Sequence, residues 1–234
     1  MIEAKNIFKY INNKKILDDV SINLNRAEIT ILFGSSGCGK TTLCRHLLLL
    51  DLADKGTISV DNIKYNFPLK TREISLSNKT NMVFQQLFLW PHLTNEENIK
   101  LAINNFDKSK QKIFDKLIEL LNIQEILTQY PNESSVGQKQ RIAIARVLIL
   151  EPEYIFLDEM TSALDIVQTN KILKLLEKLK SNGIGMLIIT HNLSFIEKLA
   201  DKVVFMDKGK IIETGDKNLL NNPKTHILKE FLRL

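Results

Sequence analysis

The most constraining feature of the sequence is a glycine-rich stretch at residues 34–42, which reads Gly-Ser-Ser-Gly-Cys-Gly-Lys-Thr-Thr. It fits the pattern G-x-x-x-x-G-K-[ST], in which glycines let the backbone curl so that successive N–H groups point at phosphate oxygens. An apolar run at residues 29–33 precedes the stretch, and an apolar segment of helical length at residues 43–50 follows it. This order predicts a buried strand, a phosphate-binding loop and a helix.

The end of this loop carries side chains with specific chemistry toward a nucleoside triphosphate. Lys40 is expected to reach the β- and γ-phosphates, and the hydroxyl of Thr41 is expected to coordinate Mg²⁺. A helix that begins near Lys40 places about half a positive charge at its N-terminus, next to the same phosphates. The residues predicted to bind the nucleotide are Gly34, Ser35, Ser36, Gly37, Cys38, Gly39, Lys40, Thr41 and Thr42.

Length and composition exclude several classes of protein. With 234 residues the chain can form one sizeable domain, or one domain that carries an inserted lobe. No apolar run approaches the roughly 18 residues that a membrane-spanning helix needs, and the first residues lack a secretory signal, so we expect the protein in the cytoplasm. The two cysteines, Cys38 and Cys44, suggest neither a disulfide framework nor a metal-ligand set.

The net charge of +5 does not by itself indicate a nucleic-acid-binding protein. Lysines are spread through the chain, and no long block of like charges occurs. We therefore expect no nucleic acid among the partners.

The remaining pattern predicts an α/β fold built on a mainly parallel sheet flanked by helices. Thr94 is a good helix N-cap, with Glu97 in the position that completes a capping box, and the region at about residues 88–145 reads as a helical lobe inserted between strands. The predicted strands are residues 2–8, 15–24, 29–33, 56–60, 63–67, 81–84, 154–157, 185–190, 202–206 and 210–214.

Acidic side chains follow one of the buried strands, because Asp158 and Glu159 come directly after residues 154–157. The carboxyl ends of parallel strands meet at one edge of a sheet. We therefore expect Asp158 to meet Mg²⁺ near Thr41, and Glu159 to polarise the water that attacks the γ-phosphate.

Two further polar side chains end predicted strands at the same edge. His191 follows residues 185–190, and it is expected to donate to the γ-phosphate while it orients Glu159 and the water. Gln85 follows residues 81–84, and its amide is expected to touch both Mg²⁺ and the water. The sequence thus predicts catalytic roles for Glu159, His191 and Gln85, and a metal site formed by Thr41, Gln85 and Asp158.

Taken in chain order, these motifs resemble the ATP-binding subunit of an ATP-binding-cassette (ABC) transporter from nearly one end of the chain to the other. Ser-Ser-Val-Gly-Gln at residues 134–138 falls where this family has its Leu-Ser-Gly-Gly-Gln signature. The other matching segments are the phosphate loop at 34–42, the glutamine loop at Gln85, the second nucleotide motif at 154–159, the dimer-contact loop Ser-Ala-Leu-Asp at 162–165 and the switch histidine at His191.

The resemblance implies a P-loop NTPase fold of ABC type, with an N-terminal antiparallel β subdomain and a helical subdomain at about residues 88–145, all within one ABC ATPase domain at residues 1–234. It also implies that two subunits face each other head to tail, with each ATP held between the phosphate loop of one and the signature of the other. The residues concerned would be Ser135, Val136, Gly137 and Gln138 in trans, and Ser162, Ala163, Leu164 and Asp165 at the dimer contact.

The implied partners are a second ATP-binding subunit in a homodimer, membrane-spanning permease subunits and, indirectly, a substrate-binding protein. The implied location is peripheral, on the cytoplasmic face of the inner membrane. The permease contact would lie near Phe88, Leu89, Trp90 and His92. The adenine-stacking aromatic of the family aligns at Ile11. Two alternatives stay open: Tyr10 beside it stacks on adenine after a local shift, or Ile11 packs on adenine through apolar contacts.

A finer resemblance is to the subunits of polar-amino-acid importers. It rests on Asn-Met-Val-Phe-Gln-Gln at residues 81–86, on Trp-Pro-His-Leu-Thr at residues 90–94, and on the segment from residue 200 to residue 223. It implies an ATPase that drives the import of polar amino acids.

Departures from the family pattern leave alternatives open. Val136 replaces the first glycine of the signature, and Met160 stands where the family has a proline. One alternative is a nucleotide-binding regulatory subunit that closes on ATP and turns it over poorly. Another is a small-molecule kinase with a phosphate loop, in which the dimer-contact loop and His191 would have no role.

Overall fold

Two β-sheets organise the residues that the computed structural model describes, which are 1–61, 63–69, 79–159 and 166–233. The strands in chain order are β1 (Ile2–Ile11), β2 (Lys14–Leu24), β3 (Ile29–Gly34), β4 (Lys55–Val60), β5 (Ile63–Phe67), β6 (Thr80–Val83), β7 (Tyr154–Asp158), β8 (Gly185–Ile189), β9 (Lys202–Asp207) and β10 (Lys210–Gly215).

The first sheet is antiparallel and has the strand order β2-β1-β4-β5. Asn12 and Asn13 connect β1 to β2 with φ angles of 48° and 60°, a left-handed conformation that asparagine adopts more readily than most residues. The sheet confirms the N-terminal antiparallel β-structure, and it places the start of β2 close to the phosphate loop.

The second sheet has the order β10-β9-β3-β8-β7-β6, in which every neighbouring pair except β10 and β9 is parallel. Its strands β3, β7 and β8 are buried along their whole length. Such burial on both faces explains why these strands read as continuous apolar runs. The expected α/β architecture with a mainly parallel sheet is confirmed.

Helices cover the parallel sheet and form the region between β6 and β7. They are α1 (Lys40–Leu47), α2 (Asn95–Lys100), α3 (Lys108–Leu121), α4 (Val136–Leu148), α5 (Ile166–Ser181), α6 (Leu193–Leu199) and α7 (His226–Arg233). No helix among the described residues is both long enough and apolar enough to cross a membrane.

One helix boundary differs from the sequence expectation. The apolar segment after the phosphate loop was expected to be helical to residue 50, but α1 ends at Leu47, because Leu49 has a left-handed φ of 57°. The capping box of Thr94 and Glu97 at the start of α2 is present as expected.

The core has two parts, one on each face of the parallel sheet. Ile31 and Phe33 of β3 pack with α3 to α7, whereas Leu32 packs with α1 and the antiparallel sheet. This alternation follows from the two-residue period of a strand. The sheet is therefore fixed from both sides, and its carboxyl edge is a rigid base for the loops that leave it.

Candidate functional site

The phosphate loop leaves the end of β3 in a conformation that requires glycine. Gly34 has a φ of 149°, and a Cβ at this position would lie 1.9 Å from the backbone oxygen of Met206. Gly39, the N-cap of α1, has a φ of 107°, and a Cβ there would lie 2.9 Å from the backbone oxygen of Ile16. These contacts bring the loop against β9 and β2, and the first N–H groups of α1 point into it.

The side chain of Lys40 lies inside the loop, where only 6% of its surface is exposed. Its Nζ donates to the backbone oxygens of Gly34, at 2.9 Å, and Ser35, at 2.8 Å. The loop thus surrounds a buried cation, and a bound polyphosphate would supply the countercharge that these carbonyl dipoles only partly provide.

The loop is also held at its first serine. Ser35 Oγ donates a 2.6 Å hydrogen bond to Oδ1 of Asp207, which ends β9. The sequence predicted Ser35 but missed Asp207. The signal was available, because Asp207 ends a strand that lies beside β3, and the same reasoning had located Asp158.

Thr41 and Asp158 meet as the sequence predicted. Thr41 Oγ1 donates a 2.9 Å hydrogen bond to Oδ2 of Asp158. Asp158 is the last residue of β7, and only 5% of its surface is exposed. Burial raises the pKa of the Asp158 carboxyl, and the hydrogen bond from Thr41 opposes that rise. A hydroxyl and a buried carboxylate side by side are hard oxygen ligands, so these residues fit Mg²⁺.

Glu159 lies one residue further on, where the chain turns away from β7 with a φ of 49°. Its Oε1 lies 2.8 Å from Nε2 of His191, and its Oε2 accepts a 3.0 Å hydrogen bond from Nε2 of Gln85. The three side chains come from the ends of β6, β7 and β8, which are neighbours in the sheet. The structure therefore brings together all three residues that were predicted to be catalytic.

A cleft of about 460 Å³ lies beside the loop. Some of its walls come from segments that sequence reasoning missed: the start of β2 and the turn between β9 and β10. No local signal marks the residues of β2, because they belong to the other sheet. The lining residues are Lys14, Lys15, Ile16, Ser35, Ser36, Gly37, Cys38, Asp207, Lys208 and Gly209.

Tyr10 lies outside the lining of this cleft, and 40% of its surface is exposed. Its stacking on adenine stays a prediction. Cys38 does line the cleft, and burial raises the pKa of its thiol, so the loop cysteine is a neutral thiol.

The signature residues form the start of α4. Ser135 is the N-cap: its Oγ accepts from the N–H of Gln138, and its own N–H donates to Oε1 of Gln138. Val136 is 47% exposed, and Gly137 packs against the side chain of Gln168.

No hydrogen bond within the described residues connects this segment to the phosphate loop of the same chain. Ser162, Ala163, Leu164 and Asp165, like Met160, lie outside the described residues.

The fold and the site together define a P-loop nucleotide hydrolase, with a lysine and a helix N-terminus for the phosphates and a buried aspartate beside the loop threonine. Residues 17–162 match the family model of the ABC transporter. The chain therefore belongs to the ABC transporter family, as an ATP-binding subunit whose ATPase activity is coupled to transport.

The relatives extend this match over the whole chain. The chain is 38% identical to the glutamine transport ATP-binding protein GlnQ of Escherichia coli K12, and the alignment covers 100% of this chain and 99% of that protein. It is 37% identical to the arginine transport ATP-binding protein ArtM of Bacillus subtilis 168, over 99% of this chain and 98% of that protein. The family predicted from the motifs is confirmed.

Solved structures confirm the fold. A nucleotide-free ATP-binding cassette from an ABC transporter superposes with a TM-score of 0.86 at 25% identity, covering 97% of this chain and 98% of that one. The dimeric post-hydrolysis state of the cassette MJ0796, bound to ADP and Pi, gives a TM-score of 0.81 at 28% identity, covering 93% of this chain and 99% of that one.

Proposed function

We propose that this chain is the ATPase of an importer for polar amino acids. The observation that carries the proposal is the contact of Glu159 with His191 and Gln85, one residue beyond Asp158. The substrate class is supported by GlnQ, by ArtM and by the glutamate/aspartate import ATP-binding protein GltL of Escherichia coli K12, to which the chain is 37% identical over 99% of its length.

ATP binds with its phosphates in the loop at residues 34–42. Lys40 Nζ exchanges one of its contacts with the loop carbonyls for the β- and γ-phosphates, and the first N–H groups of α1 donate to the same oxygens. Thr41, Asp158 and Gln85 would hold Mg²⁺, which would neutralise charge on the phosphates. The three lysines of the cleft, Lys14, Lys15 and Lys208, add positive charge near the nucleotide.

Hydrolysis uses the carboxylate of Glu159 to polarise a water for attack on the γ-phosphate. His191 holds that carboxylate in place and donates to the γ-phosphate, while Gln85 contacts the other oxygen of the same carboxylate. Since Gln85 directly precedes the helical region, its contacts connect the occupancy of the site to that region.

The working unit is a homodimer in which the signature residues 135–138 of each chain bind the ATP of the other, with residues 162–165 at the contact. Ser135 and the N–H groups at the start of α4 are an anion site of the same kind as the start of α1. Permease subunits bind at the exposed aromatic side chains of Phe88 and Trp90, on the cytoplasmic face of the membrane, and receive substrate from a binding protein.

The experiment that tests this function is the solution mass of the Glu159→Gln variant with and without Mg-ATP. The substitution keeps the size of the side chain and removes its charge, so hydrolysis slows while ATP still binds. A shift from monomer to dimer on addition of ATP supports the proposal. A monomer that binds ATP without this shift contradicts the homodimer.

The alternative, a regulatory subunit with poor turnover, is tested by Val136→Gly. A large gain in ATPase activity would favour that alternative, whereas little change would favour the motor. Val136 is 47% exposed at the start of α4, so its replacement should change the contact with the partner's nucleotide more than the packing of its own subunit.

A further inference from the structure

The start of α2 contains a buried asparagine that connects three segments of the helical region. Asn95 is completely buried, and its Nδ2 donates to the backbone oxygen of Ile126, at 2.8 Å, and to Oγ of Ser134, at 2.9 Å. Its backbone N–H donates to the oxygen of Gln129, at 2.9 Å. A buried amide costs free energy unless it is hydrogen-bonded, and these three bonds join the start of α2 to residues 126, 129 and 134.

The partner Ser134 is itself buried, with 6% of its surface exposed, and it directly precedes Ser135, the N-cap of α4. An apolar residue at this position commonly packs on the first turn and fixes the angle at which the chain enters the helix. The family resembled has leucine here. Ser134 is polar, and its side chain instead accepts the hydrogen bond from Asn95.

The same helix holds the segment that follows Gln85. Asn98, also completely buried, accepts from the N–H of Trp90 through Oδ1 and donates through Nδ2 to the backbone oxygens of Trp90, Leu93 and Thr94. One face of α2 therefore contacts the loop at residues 90–94 through Asn98 and the entry to α4 through Asn95.

We propose that the Asn95–Ser134 hydrogen bond is a positioning pair that sets the start of α4, and with it residues 135–138, for binding the ATP held by the partner subunit. This inference rests on the proposed homodimer. The pair does not touch the nucleotide. It acts through the backbone of Ser134 and Ser135, because a change in the entry angle of α4 moves the N–H groups that face the phosphate.

The side-chain oxygen of Asn95, Oδ1, is buried and accepts no hydrogen bond from the described residues. This leaves the amide held only through its nitrogen, by Ile126 and Ser134. Removing the Ser134 hydroxyl would therefore loosen the connection between α2 and the entry to α4 without creating a large cavity.

The test is a double-mutant cycle in the Glu159→Gln background, with Ser134→Ala, Asn95→Ala and their combination. The measurement is the equilibrium constant of dimerisation by sedimentation at saturating Mg-ATP. We expect each single substitution to weaken dimerisation about tenfold, and the double variant to be no weaker than Asn95→Ala alone, since both remove the same bond. ATP binding to the monomer and the midpoint of thermal unfolding are measured in parallel.

Rescue separates positioning from simple stability. Ser134→Thr keeps the hydroxyl and should dimerise nearly as the parent does. Asn95→Ala combined with Ser134→Leu replaces the polar contact by an apolar one, and it should recover most of the loss seen with Ser134→Leu alone. If Asn95→Ala does not fold, Ser134→Ala and Ser134→Thr still decide the question.

The outcomes distinguish this inference from the function on which it rests. A Glu159→Gln parent that binds Mg-ATP and stays monomeric overturns the homodimer and, with it, this inference. A parent that dimerises, with Ser134→Ala equal to it, overturns the positioning pair and leaves the proposed function standing. The pair would also be overturned if every variant lost dimerisation in proportion to its drop in the midpoint of thermal unfolding, and Ser134→Thr gave no rescue.

Discussion

Nε2 of His191 lies 2.8 Å from Oε1 of Glu159, although the two residues come from different strands of the parallel sheet. The contact exists because β7 and β8 are neighbours with matched registers, which pairs Asp158 with Ile189. Glu159 and His191 therefore lie at the same edge of the sheet, one and two residues beyond this pair. Gln85 reaches the other carboxylate oxygen from the end of β6.

This arrangement predicts that His191→Ala lowers kcat for ATP by about 100-fold, because Glu159 loses the contact that orients its carboxylate. The affinity of the monomer for ATP should change little, since the phosphate loop does not use His191. Steady-state ATPase assays and nucleotide titrations measure the two effects. A kcat equal to that of the parent would show that His191 has no part in hydrolysis.

Because its carboxyl is buried, Asp158 is expected to lower the stability of the nucleotide-free protein. Burial raises the pKa of this group, so between its unfolded and folded pKa values the native state binds more protons and stability falls as pH rises. Near neutral pH the buried charge is therefore destabilising in the nucleotide-free protein. Asp158→Asn should raise stability by roughly 1 kcal/mol, or about 2–4 °C in Tm, while ATPase activity is lost.

Thermal unfolding without nucleotide and with a chelator present, followed from neutral to acid pH, measures this effect. The gain should shrink as the pH falls, because protonation removes the same charge from the parent. A variant less stable than the parent at neutral pH would contradict the interpretation.

The hydrogen bond between Ser35 and Asp207 predicts a role in ATP binding. Ser35→Ala removes a 2.6 Å charge-assisted bond, which allows the first turn of the loop to move and should raise KM for ATP up to about tenfold with little change in kcat. The matched control is Ser109→Ala, at an exposed serine of α3 with no side-chain hydrogen bond among the described residues. Equal effects of the two substitutions would argue against the bond to Asp207.

Two apolar residues of the last helix, α7, are expected to contribute unequally to the stability of the fold. Phe231 of α7 packs on two core rings, with centroid distances of 5.9 Å to Phe33 and 5.1 Å to Phe205. Phe231→Ala should destabilise the fold by about 2 kcal/mol, because the ring is partly buried. Ile227→Ala in the same helix, at a side chain 44% exposed, should cost well under 1 kcal/mol. Denaturant unfolding compares them, and similar losses would contradict the contacts of α7.

Sequence reasoning located the site where its signals are local or depend on a simple rule. The phosphate loop is recognisable because glycines, lysine and threonine must follow one another along the backbone. Asp158, Glu159, His191 and Gln85 were found because each follows a strand, and parallel strands end at one edge. Ile227 illustrates the limit of local patterns: it directly precedes the completely buried Leu228 in α7, yet 44% of its surface is exposed, because only one side of α7 faces the core.

By itself, then, the sequence determined the class of fold, the phosphate loop and the residues at the carboxyl edge of the sheet. Only the tertiary structure decided which distant side chains pair, Ser35 with Asp207 and Asn95 with Ser134. It alone also showed that the start of β2 lines the cleft. The physical reason is that a motif is set by covalent neighbours and strand ends. A hydrogen bond between residues far apart in sequence depends instead on how sheets and helices pack, which no local pattern encodes.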